Sequence, residues 1–306
     1  MYDTTDPRAA LAAATPAKAP QPARFAAPEY GRFWQEAPHE QAQGFKSWYI
    51  RGQNFVLCYS EAEAGTAFER AAQPDEYVLI LPDAGSAATV TAGGETKEVA
   101  GPAIVMVPPG AGRIVSTSGG RLVRLLTSRA ADLVAKCPNA ASYAGHRENI
   151  PPFEAWPEPP GGFRIRAYSL DVPPEPGRFG RIFRCTTMMV NFLDPQVGPR
   201  DLTKLSPHHH DDFEQCSLAL EGGFMHHLRW PWTVDMNAWK EDEHQHFPTP
   251  SALVIPPPCI HTTRGLEAGV NRLVDIFSPP RIDFSLQKGW VLNAADYPMP
   301  PGAQGA

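Results

Sequence analysis

The sequence predicts an all-β protein built as two barrel-like domains in tandem. Three observations lead there. The chain has 306 residues, enough for two domains of ordinary size. Its 34 prolines and 25 glycines supply many corners between short strands and disfavour long helices. From about residue 45 onward, short apolar runs alternate with turn residues at the spacing of a sandwich or barrel.

Residues 1–40 are expected to form a flexible arm. They are rich in Ala and Pro over 1–28, and Asp3 and Asp6 stand where a secretory signal would need basic residues. Strands are expected next at Ser47–Ile50, Phe55–Cys58, Glu76–Pro82, Ala88–Ala92, Ala103–Val107 and Arg121–Leu126, closed by turns such as Gly93-Gly94 and Pro108-Pro109-Gly110. Together they make a first domain over 41–150. Ala130–Lys136 reads as a short helix. Pro151-Pro152, Pro157, Pro159-Pro160 and Gly161-Gly162 then stop regular structure, which places the domain boundary there.

The second domain, 151–306, opens with strands expected at Phe163–Leu170 and Ile182–Phe192. Gln215–Leu220 and Phe224–Trp230 form a hairpin about Glu221-Gly222-Gly223. Lys240–His246 reads as an acidic loop, Asn271–Phe277 as a late strand, and the tail from Ser278 as a segment laid across the barrel or a partner subunit.

Composition narrows the function. The formal net charge is only −6, which argues against an electrostatic nucleic-acid binder. No apolar run reaches the length of a membrane-spanning helix. Cys58, Cys137, Cys185, Cys216 and Cys259 are scattered, odd in number and without a C-x-x-C pair, as expected of reduced thiols in a cytoplasmic protein.

The chemistry concentrates in Ser206–Gln215. His208 and His210 are two apart, so an extended strand puts both rings on one side, with His209 on the other. Glu214 follows after a short bend. A third histidine, His261, follows the apolar run Ala252–Ile255 and Pro256-Pro257-Pro258. His208, His210, His261 and Glu214 make a set of three nitrogens and one oxygen, suited to one divalent first-row metal with positions left open. Asp211 and Asp212 orient ligands or cap the bend. His226 and His227 lie on one strand, so one of them faces the interior, where it could orient substrate or move a proton. Arg229, Arg264 and Arg272 are candidate carboxylate clamps, and Trp230 and Trp232 candidate linings of the mouth.

This pattern resembles the cupin superfamily. Its first motif runs G-x5-H-x-H-x3-E-x6-G, and His208, His210 and Glu214 match its ligands. Leu202 replaces the first Gly, and the closing Gly comes one residue late, at Gly222. The second motif runs G-x5-P-x-G-x2-H-x3-N. Pro256 and His261 match it, while Pro250 and Pro258 replace its glycines and Gly265 its Asn. The first half carries a fainter copy in Pro108–Arg113. There Arg113 stands at the His position, Arg70 and Ala72 stand where the other two His would be, and Glu76 stands for the Glu. Arginine stays protonated and does not ligate metal, so that half is expected to be metal-free.

The resemblance implies two jelly-roll barrels in tandem, a metal site in the second and a homodimer. The expected function is a metal-dependent enzyme acting on a small oxygenated organic substrate, first an Fe(II) dioxygenase with Glu214 as proton acceptor, with Mn, Ni, Zn or Cu as other possible ions. The alternatives are a redox-neutral isomerase, decarboxylase or lyase of a sugar acid or oxo acid, and a binding protein without turnover.

Overall fold

The computed structural model describes Pro7 and residues 24–147, 149–233 and 235–303. The Ala-rich segment Ala9–Ala14 lies outside the described residues. The chain folds into two β-barrels, each made of one large and one small antiparallel sheet.

The large sheet of the first barrel has the strand order Arg166–Ser169, Ala103–Val107, Tyr77–Leu81, Gly120–Thr127, Phe55–Ala62, Phe45–Arg51, Glu40–Ala42. Its small sheet runs Ala67–Gln73, Gly110–Ser116, Ala87–Ala92, Glu95–Ala100. In the second barrel the large sheet runs Glu29–Gly31, Ser251–Ile255, Gln215–Glu221, Val270–Phe277, Met189–Phe192, Arg181–Arg184, and Gln196–Val197 pairs with Val270–Phe277. The small sheet there is Glu243–Pro248, Gly223–Arg229, Ile260–Gly265.

The two large sheets pack face to face. Leu57, Val78, Ile80, Ile104, Val123 and Leu125 of the first meet Val190, Cys216, Leu218, Val254, Val274 and Ile276 of the second in one continuous core. A second core fills the first barrel around Val56, Leu79, Val90, Val105 and Ile114. Strands central to both large sheets are therefore buried on both faces, which is why they read as unbroken apolar runs rather than alternating ones.

Several boundaries differ from the sequence reading. Arg166–Ser169 does not open the second barrel; it pairs with Ala103–Val107 of the first. Conversely, Glu29–Gly31, from the supposed arm, pairs with Ala252–Val254 of the second. Each barrel thus receives an edge strand from beyond the expected boundary, covering backbone that would otherwise be unpaired. The expected strand Ile182–Phe192 is two strands broken at Cys185–Met188, where Thr186 donates through both N and Oγ1 to Glu76.

Ala67–Gln73, Glu95–Ala100 and Glu243–Pro248 are strands that sequence analysis missed, the last of them read as a loop. Glu95–Ala100 exposes most of its residues, and all three strands bury few side chains, so their apolar signal is weak. The tail does lie across the second barrel: Phe284, Trp290 and Val291 pack with Ile182 and Phe277, and Trp290 Nε1 donates to the Gly177 carbonyl at 2.8 Å.

Candidate metal centre

Three histidines distant in sequence meet because their backbones pair. His208 and His261 form an isolated antiparallel bridge, with N–H···O distances of 3.1 and 2.7 Å in the two directions. That pairing brings their rings to 4.3 Å between centroids, and His210 lies 5.1 and 5.2 Å from the two. One nitrogen from each ring falls within 4.8 Å of the others, the geometry of a shared cation.

The rings are aimed by their other nitrogens. Nδ1 of His208 contacts the Ser206 carbonyl and Nδ1 of His261 the Cys259 carbonyl, both at 2.9 Å. A carbonyl only accepts, so Nδ1 carries the proton and Nε2 of each neutral ring presents a lone pair. His210 is buried against Phe213, its ring stacked at 4.4 Å. Burial, helped by the Arg281 charge and the other two imidazoles, holds its pKa well below the usual histidine value, so this ring is neutral and fit to ligate. Three imidazoles with convergent nitrogens are the donor set that a divalent first-row metal ion takes.

Glu214 is not part of the cluster. The strand Gln215–Glu221 turns Gln215, Ser217 and Ala219 into the barrel, and Cys216, Leu218 and Leu220 into the core between barrels. Glu214 lies on the latter side. Its carboxylate accepts from Gln53 N at 2.6 Å, Tyr143 Oη at 2.9 Å and Arg147 Nη1 at 2.8 Å. Burial pushes this carboxyl up, against the opposing pull of Arg147 and the Gln53 N–H.

Gln215 occupies the place expected of Glu214. Its Oε1 lies 3.0 Å from His210 Nε2 and 3.3 Å from His261 Nε2. A signal for this was present in the sequence. The closing glycine, one residue late when counted from Glu214, falls in register when counted from Gln215. Gly222 has φ +87°, and a Cβ there would meet Asn271 Oδ1 at 2.5 Å, so it fixes the turn that ends this strand.

Behind Gln215 lies a polar row. Gln215 Nε2 donates to Asp275 Oδ1 at 3.0 Å, and Ser217 Oγ donates to the same oxygen at 2.8 Å. Asn191 pairs with Asp275 across the sheet and is fully buried, and neither its amide oxygen nor its amide nitrogen has a hydrogen-bond partner among the described residues. Sequence analysis did not single out Gln215, Ser217, Asp275 or Asn191.

Of the two neighbouring histidines, His226 faces the interior. It is 1% exposed, its Nδ1 bonds Thr263 Oγ1 at 2.8 Å, and burial pushes its pKa down to about 3. His227 faces out, 2.8 Å from His244 through Nδ1, with Arg264 Nε at 3.3 Å from its Nε2. The expected clamps are elsewhere. Arg264 shares the outer face with His227, and Arg229 is exposed in an ion pair with Asp242. Arg272 ties the barrels together through Asp83 and the Pro82 carbonyl, and pairs with Glu221 of its own sheet. Trp230 is buried with Phe25, Leu228, Leu253, Ile255 and Cys259, as a core residue, while Trp232 is exposed and stacked on Trp239. For Arg229 and Arg264 strand parity turns the side chain away from the interior, whereas Trp230, on the inward parity of His226 and Leu228, is taken up in packing. His209 is on the outside beside Asp211, as its position between two inward rings predicts.

In the first barrel Arg113 pairs with Glu69 on the surface, and Arg70 with Asp132. Glu76 is buried beneath the second barrel, bonded to Thr186 and to Tyr297 Oη at 2.7 Å.

No family model matches this sequence, and no curated protein matches it. Solved structures do. AerE from Microcystis aeruginosa superposes with a TM-score of 0.55 over 79% of this chain and 96% of that one, at 8% identity. Oxalate decarboxylase from Lactobacillus farciminis, as a formate complex, gives 0.55 over 82% and 86%, at 11% identity. The chain has a two-barrel cupin fold. At these identities the likeness is one of fold. Within it, the histidine cluster that could hold a metal ion lies in the second barrel of this chain.

Proposed function

We propose that this two-barrel cupin is a metal-dependent enzyme that transforms a small organic acid without net oxidation, by decarboxylation, isomerisation or elimination. The observation that carries the reading is the neutral donor set. Three imidazoles bring no negative charge, and the carboxylate expected among them is turned away to Arg147. A dication held so deep in a barrel calls for a compensating anion, which a substrate carboxylate provides. When bound, the ion would supply Lewis acidity toward a substrate oxygen.

The chain's own groups complete the site. Asn191 offers an amide donor and acceptor on the buried polar row. The neutral His226 ring keeps Nδ1 against Thr263 and leaves Nε2 to donate to, or accept from, a substrate group. The phenyl rings of Phe224 and Phe247 flank His226 at 6.4 and 5.4 Å and exclude water. The fold likeness to an oxalate decarboxylase lends support to an acid as substrate.

A second reading, an Fe(II) dioxygenase, rests on the same three histidines, which leave several coordination positions open to a substrate and dioxygen together. In either reading Glu214 is not the proton acceptor. The test is metal analysis of the protein as isolated, followed by turnover of dicarboxylates, oxo acids and sugar acids with and without oxygen. Turnover that persists without oxygen supports the first reading. Strict oxygen dependence with iron bound overturns it in favour of the second. Ligand binding with no turnover of any acid leaves a binding protein.

A further inference from the structure

The geometry points to Gln215 as the fourth ligand of the metal centre, an amide oxygen in place of a carboxylate, with Asp275 as the residue that aims it. The inference rests on the reading of the histidine cluster as a metal site.

Orientation comes first. An amide has a donor end and an acceptor end. Gln215 Nε2 faces Asp275 Oδ1 at 3.0 Å and Ser217 Oγ at 3.1 Å, and Ser217 spends its own proton on Asp275. A carboxylate offers only acceptors, so the NH2 end must point that way. Oε1 is thereby locked toward the histidines.

What Oε1 meets there is the second step. His261 has its Nδ1 proton on the Cys259 carbonyl, so in the neutral ring Nε2 is a lone pair. It faces Oε1 at 3.3 Å. Two acceptors turned on each other across that distance repel unless a cation lies between them. His208 adds a third such lone pair, its Nδ1 proton likewise given to a backbone carbonyl. His210 Nε2, at 3.0 Å from Oε1, completes the ring of donors once its proton is displaced. Gln215, His210 and His261 are all buried, so solvent does not relieve the conflict.

Asp275 acts through Gln215 and is a positioning residue. It also keeps a negative charge behind the ligand instead of on the metal. Exchanging the two side-chain types should move that charge forward. The double variant Gln215→Glu/Asp275→Asn keeps a donor facing an acceptor between the two positions, whereas Gln215→Glu alone sets two carboxylates against each other.

The experiment titrates cobalt(II) into the metal-stripped full-length chain and records stoichiometry, affinity and the ligand-field absorption spectrum. Circular dichroism confirms folding of each variant. Gln215→Leu is expected to weaken cobalt binding at least tenfold and to shift the spectrum, and Asp275→Asn to weaken it by about 10–100-fold, the usual effect of losing a residue that orients a ligand. Gln215→Glu/Asp275→Asn is expected to recover binding to at least wild-type affinity with a third, distinct spectrum. That rescue would not follow if Asp275 merely supported the fold. Wild-type uptake of one cobalt per chain, with Gln215→Leu and the double variant unchanged in affinity and spectrum, overturns the inference while leaving the metal site standing. A wild-type chain that takes up no cobalt overturns both.

Discussion

At the scale of single residues, one step along the chain decides what the site is made of. Glu214 and Gln215 are adjacent and point to opposite faces of one sheet. Gln215 looks into the barrel. Glu214 joins the second barrel to the Gly52–Gln53 turn and to Tyr143 and Arg147. Glu214→Ala should therefore leave metal stoichiometry at the wild-type value but lower stability by about 2–4 kcal/mol, because Arg147, Tyr143 and the Gln53 amide lose a buried partner. Denaturant unfolding beside metal analysis checks this; metal loss without destabilisation would contradict it. His261→Ala should do the reverse, abolishing metal uptake with little change in the fold. Arg113→Ala, at an exposed ion pair, should change neither.

The histidines were legible because their identity and spacing carry the signal, whichever residues surround them. Gln215 was not, because Glu214 is the more familiar ligand and stands one place away. Only the count to Gly222 distinguishes them. The arginine clamps failed for a related reason: a sequence shows that Arg229 and Arg264 lie on strands but not which face each strand presents.

At the scale of elements, the small sheet of the second barrel sorts its side chains by alternation. In the pair Gly223–Arg229 and Ile260–Gly265, His226 lies across from Thr263 and Leu228 across from His261, all inward, while His227 and Arg264 face solvent. The strand sequence alone left His226 and His227 equivalent. It takes the pairing with His261 to break the tie. Acid sensitivity follows from this burial. The His226 pKa is about 3 in the folded state, against about 6.5 in an unfolded chain. Between those values the unfolded state binds the extra proton. Stability of the metal-free protein should then fall as the pH drops below about 6.5, by up to about 1.4 kcal/mol per pH unit from this residue, and the fall should end near pH 3. His226→Gln should remove that share of the slope. Unfolding curves at pH 7, 6 and 5 for both proteins decide it, and parallel slopes would mean the ring is hydrated.

Edge strands mark the limit of element prediction. Glu95–Ala100 buries only Val99, and Ala67–Gln73 only Phe68 and Gln73. Their existence depends on backbone pairing to a neighbour, which leaves little trace in side-chain type.

At the scale of the whole molecule, the two barrels are one cooperative body. Their large sheets share a core, Arg121 and Arg272 meet on Asp83 at the seam, and each barrel's large sheet carries an edge strand from beyond the expected boundary. Calorimetry should record a single unfolding transition. A fragment of residues 151–306 should fail to yield a soluble metal-binding barrel, since it lacks Glu29–Gly31 and exposes the shared apolar face. Two separate transitions, or a well-behaved fragment, would contradict this. The tandem architecture was legible from strand spacing and the repeated motif frame. The exchange of edge strands was not, because pairing between segments so far apart has no local signature.

That exchange also sets an order of events on the ribosome. The strand Glu29–Gly31 emerges early, yet its partner in Ser251–Ile255 follows on the order of 200 residues later. At about 5–20 residues per second, that is a delay of roughly 10–40 s. Throughout it, the first barrel can close while its apolar back and the waiting strand remain without their counterpart. The nascent chain should therefore bind chaperones that recognise exposed apolar segments until the last strands of the second barrel are made, and a codon-level slowing of translation between the barrels would lengthen that exposure.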